Sequence, residues 1–387
     1  MKRQLLGVAA FMLALSAHAQ DNPLWMRYCA ISPDGTSIAF TYKGDIYTVP
    51  VNGGKAAQIT TNAAHDTHPV WSPDGKQIAF ASDRMGSMDI FVVDREGGIP
   101  KRLTTHSGNE TPVAFKDADH ILFLANVMPS AEDAQFPSGQ FQQVYEVSTT
   151  GDRPVMFSSM PMEDISINKT GNALLYHDKK GYEDPWRKHH TSSITRDIWL
   201  CSLDGKRSYR KLTSFNGEDR TPVWASDGKS FYYLSEEKGS FNVFKRALDG
   251  TSSTQLTHHT KHPVRFLTAA DNGTLCYGYD GEIYTMKEGT EPRKVQISIL
   301  TDKNDKDLIR QIRRNGATEI ALSPDAKEVA FILRGDVYVT SVEYKTTKQI
   351  TNTPEQERDI NFAPDGRSIV YACLLYTSPS PRDRTRS

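Results

Sequence analysis

The sequence predicts an all-β chain: a six-bladed β-propeller followed by the truncated start of a second one. Three observations predict it. A four-strand cassette occupies Trp71 to Thr105, the same cassette returns along most of the 387 residues, and its rhythm breaks once, over a charged stretch at Thr301 to Gly316.

The cassette opens at Trp71-Ser72 and enters the turn Pro73-Asp74-Gly75. There Pro pre-sets one φ and Gly tolerates a positive one. Gln77 to Ala81 is a short apolar run closed by Asp83-Arg84-Met85-Gly86, and Asp89 to Asp94 is a β-branched and aromatic run closed by Glu96-Gly97-Gly98. Pro100 to Thr104 supplies the fourth strand.

Copies of the opening turn stand at Ser32-Pro33-Asp34-Gly35, Ser226-Asp227-Gly228, Ser323-Pro324-Asp325 and Ala363-Pro364-Asp365-Gly366. The third-strand signature recurs as Asp45-Ile46-Tyr47, Asp89-Ile90-Phe91, Gln143-Val144-Tyr145, Asp197-Ile198-Trp199, Asn242-Val243-Phe244, Glu282-Ile283-Tyr284 and Asp336-Val337-Tyr338. The fourth strand closes on Ile59-Thr60, Leu103-Thr104, Leu212-Thr213, Leu256-Thr257 and Ile350-Thr351, and prolines at 69, 112, 222 and 263 precede several first strands. Four strands in a period of about 40 to 55 residues is the mark of a propeller. Each blade has an apolar face it cannot bury alone, so blades stack around a channel. The Gly-His and Trp-Asp marks of WD40 repeats are absent. A β-sandwich, the structural alternative, does not repeat one cassette in this way.

Taken in order, Met1 to Ala19 reads as a secretory signal. Lys2-Arg3 is the positive end, Leu5 to Leu15 the apolar stretch and Ala17-His18-Ala19 the cleavage site. The expectation is export to a periplasm, with no membrane anchor after cleavage following Ala19. The first propeller is expected over 20–298, with insertions at Asn126 to Gln140 and Asp178 to Arg196, where a rigid scaffold tends to carry binding residues. Residues 299–316 read as a linker, 317–372 as the first blade or blades of the second ring, and 373–387 as a non-native tail that interrupts a blade in mid-strand. A single seven-bladed ring with a long loop is the alternative to two rings.

Net charge is −1, which implies neither nucleic acid nor an anionic membrane as partner. Cys29, Cys201, Cys276 and Cys373 are widely spaced in strand-like runs and read as buried small apolar residues. His189-His190 and His258-His259 with His262 read as solvated loop histidines, because adjacent residues on a strand point to opposite faces and cannot converge on one metal. No motif implies a metal or cofactor. Trp186 and Trp199 read as pinning the fourth-blade insertion to its own blade.

Asp66, His68, Glu110, Asp164, Asp219, Arg220, Lys261 and His262 stand just before first strands. The first strand of a blade is innermost, so these residues are expected to ring one mouth of the channel, where they either bind peptide termini or backbone or form a solvated rim. No Gly-x-Ser-x-Gly elbow occurs, and no Ser-His-Asp set has an oxyanion loop beside it.

The repeats, the blade count and above all Tyr182-Glu183-Asp184-Pro185-Trp186-Arg187-Lys188-His189-His190 with Thr195-Arg196-Asp197-Ile198-Trp199 resemble the N-terminal part of tricorn-type serine peptidases, from about Leu24 to Ala372. The resemblance implies a six-bladed propeller ahead of a second one, peptides as substrates, homo-oligomeric assembly and a serine nucleophile beyond residue 372, so that this region supplies a channel and assembly surfaces without catalysis. The insertion at 126–140 holds no Arg or Lys, so a carboxylate-anchoring role has no candidate residue there. TolB-type propellers share the Ser-Pro-Asp-Gly turns, and a periplasmic protein-binding propeller is the non-enzymatic alternative. A prolyl-oligopeptidase-type enzyme is a third reading, against which the linker at Thr301 to Gly316 argues.

Overall fold

A computed structural model describes residues 23–126, 141–182, 192–300 and 313–374, and every helix or strand element among them is a β-strand. The leader, most of the insertion after Asn126, the Trp186 and His189-His190 part of the second insertion, most of the charged linker and the tail lie outside the described residues.

Six antiparallel meanders of four strands follow one another, their inner strands being Arg27–Ile31, Asp66–Trp71, Glu110–Phe115, Met162–Ile167, Asp219–Trp224 and Arg265–Ala269. Each inner strand packs against the inner strands of both neighbours, the sixth against the first, so the ring is closed with six blades. A fifth strand fastens the closure. Ile297–Ile299 lies parallel to Gly54–Gln58, with Ile297 opposite Gly54 and Ile299 opposite Ala56. Ile297 is buried in one cluster with Met26, Ile38 and Ile283, which joins blade one to blade six. A seventh four-stranded sheet begins at Ala317–Leu322, and a two-stranded sheet of Gln356–Phe362 and Ile369–Leu374 packs against it. These two sheets stand outside the ring. They touch it where Arg313 and Arg334 each donate through Nη2 to the Ala63 carbonyl at 2.7 Å, and where Arg27 Nη2 donates to Gln356 Oε1 at 3.1 Å.

The repeated turns have a local cause. In blade two the Ser72 hydroxyl donates to Asp74 Oδ1 at 2.7 Å and accepts the Gln77 amide at 2.9 Å, while Asp74 also accepts the Lys76 amide at 3.1 Å. These bonds, the serine hydroxyl first, hold the Asp74 carboxyl below its ordinary range. Gly35, in the first copy, has φ +72°, and a Cβ there would meet the Asn272 side chain of blade six at 2.3 Å. Glycine takes this φ without strain and leaves the space that the Asn272 side chain fills.

The other repeat, third-strand apolar residue plus fourth-strand Thr, is a lock. Thr60, Thr104, Thr213 and Thr257 each accept, through Oγ1 at 2.9 Å, the amide of Ile46, Ile90, Ile198 and Val243. Thr351 does the same for Val337 at 2.8 Å. The residue before each Thr donates its amide to the carbonyl of that same third-strand residue at 2.8 Å. Both polar groups of one buried backbone unit are thereby satisfied where the meander would otherwise end. Blades three and six lack the Thr and its side-chain bond; blade six keeps only the Val295 amide on the Ile283 carbonyl at 2.8 Å, and in blade three Ser158 stands opposite Val144 in the ladder.

Thr257 is 1% exposed and its hydroxyl also donates to Asn242 Oδ1 at 2.9 Å. Thr257→Val keeps the shape and removes the acceptor, leaving the Val243 amide unpaired. The expected loss is about 1–3 kcal/mol by chemical denaturation, against about 0.5 kcal/mol or less for Thr→Val at exposed Thr254. Equal losses at the two positions would contradict the lock.

Candidate channel site

The inner strands are not regular. Each carries one residue more than its neighbour across a shift in register: between Arg27 and Ala30, Thr67 and Val70, Glu163 and Ser166, Arg220 and Val223, Arg265 and Thr268, and in blade three opposite Leu122 and Phe123. In five of these bulges a non-glycine residue sits in the left-handed region: Tyr28 (φ 52°), His68 (54°), Asp164 (49°), Thr221 (49°) and Phe266 (57°). Left-handed backbone at side chains this large is held only where the surroundings over-determine it. Pro69, Pro112 and Pro222 fall inside these strands and not ahead of them as expected; Pro69 and Pro222 lie within the bulge, where no register partner stands opposite them, while Pro112 stands opposite Phe123 beside the bulge. Pro263 alone precedes its strand.

The bulges place side chains on a central cavity of about 1340 Å³, which runs along the inner strands from the bulges to the Ser-Pro-Asp-Gly turns. Its ring at the bulge level is Tyr28, His68, Thr111, Asp164, Thr221 and Phe266. The ring has two halves. On one arc, the Tyr28 ring packs tilted against His68 with centroids 3.7 Å apart and against Phe266 at 4.9 Å. Burial, with His65 and Arg27 adding to it, pushes the His68 imidazole down to about 3, so it is a neutral aromatic wall. On the other arc, the Thr221 hydroxyl donates to Asp164 Oδ2 at 2.6 Å, and the His177 Nδ1 accepts the Thr221 amide at 3.4 Å.

Behind the polar arc lies a charged network. Lys179 Nζ donates to Glu163 Oε1 at 2.7 Å, Arg196 Nε to Glu163 Oε2 at 3.4 Å, and Arg196 Nη1 to the buried Glu218 at 2.6 Å. Burial acts to raise Glu163, but the His177 hydrogen bond and the Lys179 and Arg196 charges outweigh it and hold the carboxyl well below its ordinary value. Arg196 thus ties the fourth-blade insertion to blade five. Lys180 Nζ closes the insertion's described ends by donating to the Thr195 carbonyl at 2.6 Å, and Trp199 Nε1 pins its own blade at Asp178 Oδ2, 3.1 Å away. At the opposite end of the cavity, Lys169 of blade four and Asp271 of blade six pair at 3.2 Å; both are exposed, so the bridge is weak.

Of the residues expected at the mouth, His68 and Asp164 line the cavity and lie on its two different arcs. Asp66, Glu110, Asp219, Arg220, Lys261 and His262 do not line it. Asp66, Glu110 and Asp219 are the first residues of their inner strands, two before the bulge or bulge-adjacent left-handed position, and their side chains pack inside the blade. Asp66 is 0% exposed and paired with Arg84 at 2.9 Å, and the Thr104 hydroxyl donates to Glu110. Arg220 bonds Glu218 through Nε and covers the Phe241 ring. His262 Nε2 lies 3.3 Å from Asp280. Tyr28, Thr221 and Phe266 were not singled out from sequence, because the signal that marks them is a bulge and not a residue type.

These buried acids make a pH prediction. Burial, with Asp89 adding to it and Thr104 opposing, pushes Glu110 up to about 7, and burial pushes Asp219 up to about 6. A carboxyl raised on folding holds its proton more tightly in the folded state, so stability falls as pH rises from its ordinary value to the raised one and is flat above it. Glu110→Gln removes that group from the balance. The drop in Tm between about pH 4.5 and about pH 7 should shrink in the variant, and an unchanged drop would show that Glu110 does not titrate this way.

Comparison with known proteins matches residues 23–292 to the model of the tricorn protease N-terminal β-propeller domain. The chain is 25% identical over 355 residues to tricorn protease homolog 1 of Streptomyces coelicolor, covering 90% of this chain and 32% of that protein. It is also 25% identical over 332 residues to the tricorn protease of Thermoplasma acidophilum, covering 82% and 29%. The crystal structure of the tricorn protease superposes with a TM-score of 0.60 at 17% identity, over 88% of this chain and 33% of that one, which shows the shared fold. The chain spans about a third of the length of these relatives. It belongs to the tricorn protease N-terminal propeller family.

Proposed function

We propose, with that membership as premise, that the chain is the N-terminal propeller region of an exported tricorn-like serine peptidase and that its central cavity is a passage for peptides. The observation that carries the reading is the two-sided ring at the bulges. An extended peptide alternates side chains and backbone amides, and it meets an apolar wall at Phe266, Tyr28 and neutral His68, and acceptors at Asp164 on the far side. Such a ring suits many sequences, because aromatic faces grip side chains without reading them and Asp164 takes backbone N–H groups. The described ends of both insertions, Asn126 and Phe141 in blade three and Tyr182 and Ser192 in blade four, stand on the face where the inner strands begin, since a four-strand meander returns its second-to-third turn to that face.

Cleavage belongs to no residue of this chain in this reading. The nucleophile lies in further sequence of the longer protein, consistent with the lack of a Gly-x-Ser-x-Gly elbow here. The leader at 1–19 supports export to the periplasm, and the paired sheets after residue 316 support a second propeller unit beginning at Ala317, with Ile299 closing the first. Homo-oligomeric assembly belongs to the longer protein.

The test is fluorescence polarisation of labelled short peptides with the full chain. Saturable binding is expected, weakened about tenfold, or about 1.4 kcal/mol, by Phe266→Ala and by Asp164→Asn, and unchanged by Tyr344→Ala on the outer sheets. Binding indifferent to both cavity substitutions would overturn the passage.

A further inference from the structure

The ring is closed by side-chain packing and by one short parallel strand, and two thiols face each other across that seam. Cys29 lies on the inner strand of blade one, and Cys276 on the second strand of blade six, opposite Thr268 of the inner strand. Cys29 Sγ is 3.5 Å from the Phe266 carbonyl of blade six, and the Ile31 amide donates to Thr268 Oγ1 at 3.1 Å, so the two strands are in direct register at this point. The two thiols are neighbours at 2% and 0% exposure, in the one buried cluster that also holds Ile297 of the closing strand. Both are free thiols in this structure.

We propose that Cys29 and Cys276 form a disulfide under oxidising conditions, stapling the first blade to the sixth. The reaction is thiol–disulfide exchange with a disulfide oxidant, small or protein-borne. Two S–H bonds and the oxidant's S–S bond break; the Cys29–Cys276 bond and two S–H bonds on the oxidant form. The protein sulfurs lose two electrons together, and the oxidant takes them with the two protons. Both thiols are buried once the seam is shut, out of reach of an oxidant. Exchange therefore occurs while the last blade docks, and the bond is then sealed from solvent. Since Cys29 and Cys276 stand near the two ends of the ring sequence, the loop that the bond closes takes in nearly all six blades. Cross-linking so long a loop removes much of the freedom of the unfolded chain. Cys201 is buried in the cluster between blades three and four, and Cys373 is exposed on the outer sheets, so neither competes for this partner.

The experiment refolds the full chain with glutathione disulfide, denatures it and alkylates free thiols before mass spectrometry and peptide mapping. The proposal expects two alkylated cysteines, Cys201 and Cys373, with the peptides of Cys29 and Cys276 joined until reduction. It also expects Tm to fall by several degrees on reduction in the native chain and not in the double variant Cys29→Ala, Cys276→Ala. Should that variant fail to fold, Cys201→Ala with Cys373→Ser leaves only the proposed pair, which must then show no free thiol. Four alkylated cysteines, or a bond joining any other pair, would overturn it.

Discussion

Each blade depends on how its last strand is fastened. A fourth strand at a propeller rim has one ladder partner and ends early; in blade two it is only Lys101–Arg102. The threonine hydroxyl that accepts the third strand's amide extends that ladder by one bond made from a side chain, with the preceding residue's amide returning to the same residue's carbonyl. The bond is buried, so it forms in a low dielectric and its loss leaves an unpaired group. It also decides how the next blade starts. In blade two the Thr104 hydroxyl donates a hydrogen bond to Glu110, the first residue of the blade-three inner strand. An acid at that position is therefore committed to the joint between blades and is not available to the channel.

The channel wall follows from the same arrangement. With the first residue of the inner strand turned into the blade, only the extra residue of the bulge turns a new side chain toward the axis. Five such residues adopt left-handed backbone, which costs energy at every one of them, and each contacts a neighbour in the adjacent blade around the ring. The result is an aromatic arc and a polar arc facing each other. The Arg196–Glu218 pair behind the polar arc joins blades four and five, so the insertion of blade four and the channel wall share one network.

The sequence made the blades legible to a high degree. Ser-Pro-Asp-Gly and Asp-Ile-Tyr/Leu-Thr are local rules whose bonds form within a blade, and the structure shows each as a defined set of hydrogen bonds. Even the absence of the lock in blades three and six is written in their fourth strands. The channel was less legible. Charge near a strand start was the available signal, and it picks out Asp66, Glu110 and Asp219, which are buried, together with His68 and Asp164, which line the cavity. Separating the two groups requires the bulge, and a bulge changes the facing of Tyr28 or Phe266 by one residue without leaving a residue-type mark. The Cys29–Cys276 contact was hidden for another reason: its partners are brought together only by closing the ring.

Amide hydrogen exchange read residue by residue tests the central claim that these side-chain locks hold the blades. The account predicts that the amides of Ile46, Ile90, Ile198 and Val243, each bonded to a threonine hydroxyl, are among the most protected in the chain and exchange only with global unfolding. The matching amides of Val144 and Ile283, in the two blades without the threonine, should exchange faster. Equal protection in both groups would contradict the account.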